Sequence, residues 1–266
     1  MRVMGVDYLP VAPSAGGQMW VTAHGRPLLE ELSSLAWFDP VERRSRWSKL
    51  SGATGAVHRV ELRGGERRGL SVVVKFCRFG QEVALGARSS FLEDVPAEVI
   101  DAARFNGPFE EFAAVEGLRS EARRLGLPRL HTKRPLAIYC PPQTFATWEL
   151  GRSTGELHRC AAAMAAVPGD AVELHADRDY VLVYSWVRGT DAHALSERGR
   201  LGDDLVRTLT RQAADDMERC GYRCLDHKPR HVIVRPRRVA GDGLVARGGL
   251  PAYALVDFEL LVHSPS

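Results

Sequence analysis

The segment from residue 203 to residue 234 most constrains what this chain can fold into. It begins with DDLVRTLTRQAADDMERCG (203–221), where apolar side chains recur every three or four residues and predict one amphipathic helix, with Leu205, Leu209, Ala213, Met217 and Cys220 on its apolar face. The stretch CLDHKPRHVIV (224–234) then joins a polar turn to a β-branched run. Read alone, that turn is either a catalytic loop or an ordinary connection before a buried strand.

The remaining elements follow from the same periodicity. VHRVELRGG (57–65) and LSVVVKFCRF (70–79) are β-branched runs joined by a glycine-containing turn, which predicts a hairpin. PFEEFAAVEGLRSEARRL (108–125) has helical spacing, whereas residues 1–16 look irregular. Further predicted elements are strands at 18–25, 134–140, 179–187, 231–236 and 253–261, and helices at 26–38, 153–166 and 191–198.

This order of elements predicts an α+β protein with two lobes. The expected division is an N-terminal extension (1–46), a β-rich lobe with a helical insertion (47–187) and a minimal second lobe with the polar turn (188–266). A chain of 266 residues, 45% of them hydrophobic, is long enough to bury cores of this kind.

Composition excludes several classes of protein. The net charge of +3 is too small to indicate nucleic-acid binding, and the five cysteines contain no CxxC pair, so neither a disulfide framework nor a zinc site is indicated. No run approaches the roughly 18 apolar residues of a transmembrane helix, and Asp7, Pro10 and Pro13 interrupt any signal-peptide core. We therefore expect a cytoplasmic protein with reduced cysteines.

Two features of the first half suit phosphate binding. In LSGATGAVHRV (50–60), Gly52 and Gly55 would let backbone N–H groups approach phosphate oxygens, although a plain hairpin turn explains them equally well. Lys75 ends the run VVVK and either holds a phosphate or reaches water from a strand end. Its partner would be a glutamate of helix 108–125; the spacing favours Glu116, while Glu111 lies nearer the apolar stripe.

DHKPRH followed by VIV (226–234) and LVDFEL (255–260) resemble the catalytic loop and the metal-binding segment of the protein-kinase-like superfamily. The resemblance covers roughly residues 50–261. It implies a two-lobed protein-kinase-like fold with a β-rich N-lobe and a reduced helical C-lobe. The loop also resembles that of bacterial lipopolysaccharide-core sugar kinases, and aminoglycoside-phosphotransferase-like kinases tolerate an acidic residue at the position of Glu259.

The resemblance implies a role for each candidate residue. Asp226 would accept the proton of a substrate hydroxyl, and Lys228 would neutralise the transferring phosphoryl group. Asp257, together with His231, would hold Mg²⁺. The residues that would hold ATP are Gly52, Gly55, Lys75 with Glu116, and, beside the adenine, Ser185 and Val187.

Two departures from the family pattern bear on activity. His231 stands where the family has a metal-binding asparagine, and magnesium prefers oxygen ligands. Only seven residues follow Glu259, so the helices with which a protein kinase binds peptides are not expected. The arginine-rich turn 235–249 is either a site for an anionic acceptor or a solvated loop. His227, next to Asp226, either assists proton transfer or faces solvent, and we expect it to face solvent.

These patterns predict an ATP- and Mg²⁺-dependent phosphotransferase that acts on a hydroxyl of a sugar or other small molecule. The alternative is a catalytically silent pseudokinase that binds a nucleotide or a partner protein as a scaffold. A plain α+β interaction module is the third possibility.

Overall fold

The computed structural model describes residues 1–38, 47–49, 57–62, 70–83, 95–167, 172–235, 244–247 and 250–264. The chain forms a mixed α/β protein that divides into two compact units. Unit 1 comprises Met1–Val83, Arg104–Ala113 and Arg134–Trp186; unit 2 comprises Ala84–Ala103, Ala114–Lys133 and Val187–Ser266. No helix in the described ranges has both the length and the apolarity needed to cross a bilayer.

Unit 1 contains an antiparallel sheet and the helices that cover it. The described strands of this sheet are β1 (Arg2–Val3), β2 (Val6–Val11), β3 (Gln18–Thr22), β4 (Ser48–Lys49), β5 (Val57–Glu61), β6 (Ser71–Phe76), β8 (Pro135–Cys140) and β9 (Val181–Ser185). Their order in the sheet is β1-β2-β3-β8-β9-β6-β5-β4. The strand between them in the chain, β7 (Leu130–Thr132), belongs to unit 2. The helices are α1 (Leu29–Ser33), α2 (Ala97–Asp101, in unit 2), α3 (Pro108–Arg124, which continues from unit 1 into unit 2) and α4 (Thr154–Ala165).

The central strands β6, β8 and β9 read as nearly continuous apolar runs because both of their faces are buried. Side chains alternate along β6, so Val72 and Val74 enter one core while Val73 enters the other. The first core is completed by Leu32 of α1 and by Trp37. The second is completed by Phe109 and Phe112 of α3 and by Cys160 of α4.

Residues 1–16 were expected to be irregular, which is wrong for most of the range, because Arg2–Val3 and Val6–Val11 form β1 and β2 at the edge of this sheet; residues 12–16 form no strand or helix. Pro10 obscured the strand pattern, since proline lacks a backbone donor and is rare inside sheets. Tyr8 of β2 anchors the strand by packing edge-on against Phe109, with ring centroids 5.3 Å apart. The expected N-terminal extension therefore contributes strands to unit 1.

Unit 2 is organised around α6 and a small sheet. Its remaining elements are α5 (Ala192–Glu197), α6 (Asp203–Arg219), β10 (Thr190–Asp191), β11 (Tyr222–Cys224), a 3-10 turn (Pro229–His231), β12 (Val232–Val234), β13 (Ala246–Arg247), β14 (Leu250–Pro251), β15 (Tyr253–Leu255) and β16 (Leu261–His263). The sheet has the order β10-β12-β15-β7, with β7 parallel to β15, while β11 pairs separately with β16.

Helix α6 forms as predicted, with a correction to its buried face. Leu209, Ala213 and Met217 are buried, but Leu205 is 38% exposed and Val206 takes its place in the core. The predicted strand 253–261 was also too long, because the chain leaves the sheet after Leu255 and returns to a strand only at Leu261. The intervening turn carries Asp257 and Glu259.

Candidate functional site

A buried ion pair joins β6 to α3 inside unit 1. The Nζ of Lys75 donates hydrogen bonds to both carboxylate oxygens of Glu111, each at 3.1 Å, and the two residues are 3% and 0% exposed. The hydroxyl of Tyr184 on β9 donates to Glu111 Oε1 at 2.7 Å. Val73 lies opposite Tyr184 in the β6–β9 register, so alternation brings Lys75 to the face of the sheet that α3 covers.

Of the two glutamates that the sequence left open as partners of Lys75, the structure pairs it with Glu111; Glu116, which the spacing favoured, is not the partner. Glu116 forms an ion pair with Arg119 in the next turn of α3, with an N–O distance of 3.4 Å. Five residues advance a helix by about 7.5 Å and turn it well past a full circle, so the two glutamates occupy different surroundings. The burial of Lys75 also excludes a strand-end lysine that reaches water.

The other residues predicted to bind the nucleotide do not contact the Lys75–Glu111 pair in the described part of the chain, and their roles stay predictions. Ser185 shares a face of β9 with Val181 and Val183, opposite to the face of Lys75, and its Oγ accepts a hydrogen bond from the backbone N–H of Arg134 at 2.9 Å. Val187 follows as a half-buried residue at the start of unit 2. Gly52 and Gly55 lie outside the described residues.

The polar turn of unit 2 is fixed at both ends by strands. Before it, Cys224 on β11 pairs with Leu261 on β16; after it, the 3-10 turn leads into β12. Within the turn, Asp226 accepts one hydrogen bond from Cys224 Sγ to Oδ1 and another from Lys228 Nζ to Oδ2, both at 3.3 Å. The side chains of Asp226 and Lys228 are 20% and 35% exposed, so solvent and solutes can reach them.

The turn after β15 completes a cluster of carboxylates. The register that pairs Val232 with Leu255 also places His231 beside Asp257, with Nε2 3.5 Å from Oδ2. Ligand oxygens of Asp226, Asp257 and Glu259 all lie within 4.8 Å of one another. The structure thus brings together the four residues predicted for catalysis and metal binding, which are Asp226, Lys228, His231 and Asp257.

This donor set fits a magnesium ion. Three carboxylates offer the hard oxygen ligands that Mg²⁺ prefers, and the ion keeps several waters when few protein ligands are present. Glu259 is 5% exposed and was considered only as a departure from a sequence pattern, not as a ligand. Its position two residues after Asp257, in a turn that breaks an apolar run, was the available signal.

Two further side chains of the turn are buried. His227 was expected to face solvent, which is wrong: it is 3% exposed, and its Nε2 lies 3.0 Å from the carbonyl oxygen of Thr210. Burial lowers the pKa of His227 to about 4. Burial, reinforced by the neighbouring charges of Asp226 and Asp257, raises the pKa of the Cys224 thiol, which suits its role as donor to Asp226.

Comparison with known proteins adds little to this geometry. No protein-family model and no curated protein sequence matches the chain. Among solved structures, the chain is similar to the Rio2 kinase in an ADP/Mg²⁺-phosphoaspartate complex from Chaetomium thermophilum, at 11% sequence identity and a TM-score of 0.32. The match covers 96% of this chain but only 59% of the Rio2 chain. A likeness of this degree does not establish a shared fold, so the site is interpreted from its own residues.

Proposed function

We propose that the chain is an ATP- and Mg²⁺-dependent phosphotransferase that acts on a hydroxyl of a sugar or other small molecule. The observation that carries this proposal is the convergence of Asp226, Asp257 and Glu259, with Lys228 in contact with Asp226. Phosphoryl transfer requires positioned charges rather than covalent chemistry by the protein, so a small cluster of acids with one lysine is sufficient.

Each side chain of the cluster has a defined role in the proposal. Asp226 accepts the proton of the acceptor hydroxyl, and Lys228, held 3.3 Å from it, faces the negative charge of the phosphoryl group. Asp257 and Glu259, with His231 alongside, hold the metal position. When bound there, Mg²⁺ supplies positive charge that neutralises phosphate oxygens.

Lys75 supplies the cation for the nucleotide phosphates. Its Nζ is held by two hydrogen bonds to Glu111, and Tyr184 orients the same carboxylate. An ammonium fixed in this way loses little side-chain entropy when a phosphate binds. The resemblance of the sequence to small-molecule kinases supports this role.

The activity is tested by ATP turnover in the presence of Mg²⁺, with water or a panel of free sugars as acceptor. Asp226→Asn keeps the shape of the side chain but cannot accept the proton, so turnover should fall at least about 100-fold. Asp215→Asn, at an exposed position on α6, is the matched control and should match wild type. Equal turnover in wild type and Asp226→Asn would contradict the assigned role of Asp226.

One observation favours a second candidate, a silent pseudokinase that retains nucleotide binding. The side chain of His231 lies beside that of Asp257 in space, with Nε2 3.5 Å from Oδ2. An imidazole is a poorer magnesium ligand than an amide or carboxylate oxygen. This candidate predicts that ATP binds to the wild-type chain without measurable turnover under any acceptor tested.

A further inference from the structure

Two groups of metal-ligating side chains in unit 2 share Asp226. The first is the carboxylate set Asp226, Asp257 and Glu259. The second consists of Cys224, Asp226 and His231, whose ligand atoms also lie within 4.8 Å of one another. The two groups differ in chemistry, because the second offers a sulfur and a ring nitrogen together with one carboxylate. We call this second group the mixed set.

One side of the mixed set already has the spacing of ligands on a bound transition metal. Bonds of about 2.3 Å to sulfur and about 2.1 Å to nitrogen and oxygen place tetrahedral ligand atoms about 3.5 Å apart. Cys224 Sγ and Asp226 Oδ1 are already 3.3 Å apart. Lys228 contacts the other carboxylate oxygen, Oδ2, so Oδ1 is the oxygen on the side of the thiol. Small side-chain shifts would complete the coordination.

The mixed set is also sheltered without being sealed. Cys224 and His231 are 5% and 6% exposed, which limits the competition of bulk water for the metal. Asp226 is more exposed, and Cys224 lines a cavity of about 840 Å³ beside α6 that also contacts His227 and Pro229. A hydrated cation can therefore approach through the cavity at Cys224 or from the solvent-exposed side of Asp226.

We propose that Cys224, Asp226 and His231 form a binding site for a thiophilic divalent cation, with Zn²⁺ as the representative ion, and that this cation competes with Mg²⁺ for Asp226. Thiolate and imidazole select softer metals, whereas carboxylates alone suit Mg²⁺. On binding, the thiol proton leaves to solvent, and the thiolate and carboxylate together balance the two positive charges of the ion.

Co²⁺ is the first probe, because a bond between Co²⁺ and a thiolate produces a charge-transfer band in the near ultraviolet. Full-length wild type titrated with Co²⁺ should develop this band at one equivalent and lose it when Zn²⁺ is added. Cys224→Ser should lack the band. Cys220→Ser, which removes another buried cysteine of unit 2 outside both ligand groups, should retain it. Absence of the band in wild type, or its persistence in Cys224→Ser, overturns the site.

A second variant guards against misfolding of Cys224→Ser. His231→Asn replaces the ring nitrogen by an amide oxygen, so calorimetry should show Zn²⁺ affinity reduced at least about tenfold. Thermal unfolding of each variant without metal establishes that it is folded. Equal Zn²⁺ affinity in wild type and His231→Asn contradicts the proposal.

Metal binding is measured without ATP, so this site and the proposed function can fail separately. A chain that turns over no ATP but shows the Cys224-dependent band supports the site and removes only the proposed activity. A regulatory consequence rests on the proposed function: one equivalent of Zn²⁺ should inhibit turnover at least about tenfold in wild type, since Asp226 is then coordinated. Cys224→Ser should lose this sensitivity.

Discussion

At the scale of single residues, the Lys75–Glu111 pair is the most constrained feature of unit 1. Both side chains are almost fully buried, and Tyr184 adds a third hydrogen-bonding group. A buried pair costs desolvation of both ions, so it adds little stability compared with apolar residues of the same size. Loss of one partner is far worse, because it leaves an uncompensated charge in the interior.

The first prediction follows from this asymmetry. Lys75→Met should lower the free energy of unfolding by about 3 kcal/mol, since Glu111 is left buried without its cation. The measurement is urea denaturation at neutral pH. The double variant Lys75→Met/Glu111→Gln removes both charges and keeps an acceptor for Tyr184, so it should recover more than half of the loss. If the double variant instead lost the sum of the unfolding free energies that the two single variants lose, the pairing of Lys75 with Glu111 would be contradicted.

The choice between Glu111 and Glu116 shows where sequence reasoning ends for this site. At helical spacing Glu111 shares a stripe with Val115 and Leu118, but Glu116 shares one with Phe112. The position of the apolar stripe favoured Glu111 and the spacing to the helix end favoured Glu116, so the local pattern left both glutamates as candidates. The packing of Phe109 and Phe112 against the sheet separates them, because it brings the first turns of α3 to β6. That information is tertiary and absent from the local pattern.

At the scale of secondary-structure elements, α6 is held to the small sheet of unit 2 by a polar network. Asp216 on α6 is fully buried and accepts hydrogen bonds from Arg129 Nε at 2.7 Å and Nη2 at 2.8 Å. The hydroxyl of Tyr253 on β15 donates to the same carboxylate at 2.6 Å. Burial opposes ionisation of Asp216, but the hydrogen bonds from Arg129 and Tyr253 outweigh it and lower the pKa.

Asp216→Ala should lower the free energy of unfolding by about 3 kcal/mol, because Arg129 loses its bidentate partner. Asp215→Ala, one residue away at an exposed position, should change it by no more than about 0.5 kcal/mol. The lowered folded-state pKa implies stability that is present above the unfolded pKa of about 4 and lost as the pH falls further. Chemical denaturation should therefore show that the difference in unfolding free energy between wild type and Asp216→Asn becomes smaller below about pH 4. Equal losses in the two alanine variants would contradict this role.

The elements on either side of the site were predictable to different degrees. The helix at 203–221, the turn at 226 and the strand after it all follow from apolar periodicity and flanking polar residues. The break in the strand at Asp257 could not be predicted in this way. Phe258 and Leu260 lie between the two strands and yet are buried, as is Leu261 at the start of β16. Burial made this turn resemble a continuous strand in the sequence.

At the scale of the whole molecule, the chain crosses between its two units several times. We predicted a division at residues 187/188, and the last boundary between compact units falls after Trp186. The segments Ala84–Ala103 and Ala114–Lys133 also belong to unit 2, which a linear division into lobes cannot represent. The reason is α3: its early apolar residues fill a core of unit 1, and its later ones, such as Val115 and Leu118, fill the core of unit 2.

The glycine loop and the arginine-rich turn lie largely outside the described residues, so their roles stay predictions. The proposed function therefore depends on the pair Lys75–Glu111 and on the carboxylate cluster around Asp226. Both consist of charged side chains held by hydrogen bonds between elements distant in sequence.

The most direct test of the central claim is thermal unfolding of the full-length chain with ATP, with and without Mg²⁺. At about 100 times the dissociation constant, ATP with Mg²⁺ should raise Tm by about 5 °C or more, and ATP alone should raise it less. Asp257→Ala should lose the part of the shift that depends on Mg²⁺, while Asp215→Ala should retain it. No shift in wild type, or a shift unchanged without Mg²⁺ or in Asp257→Ala, would contradict the proposed phosphotransferase.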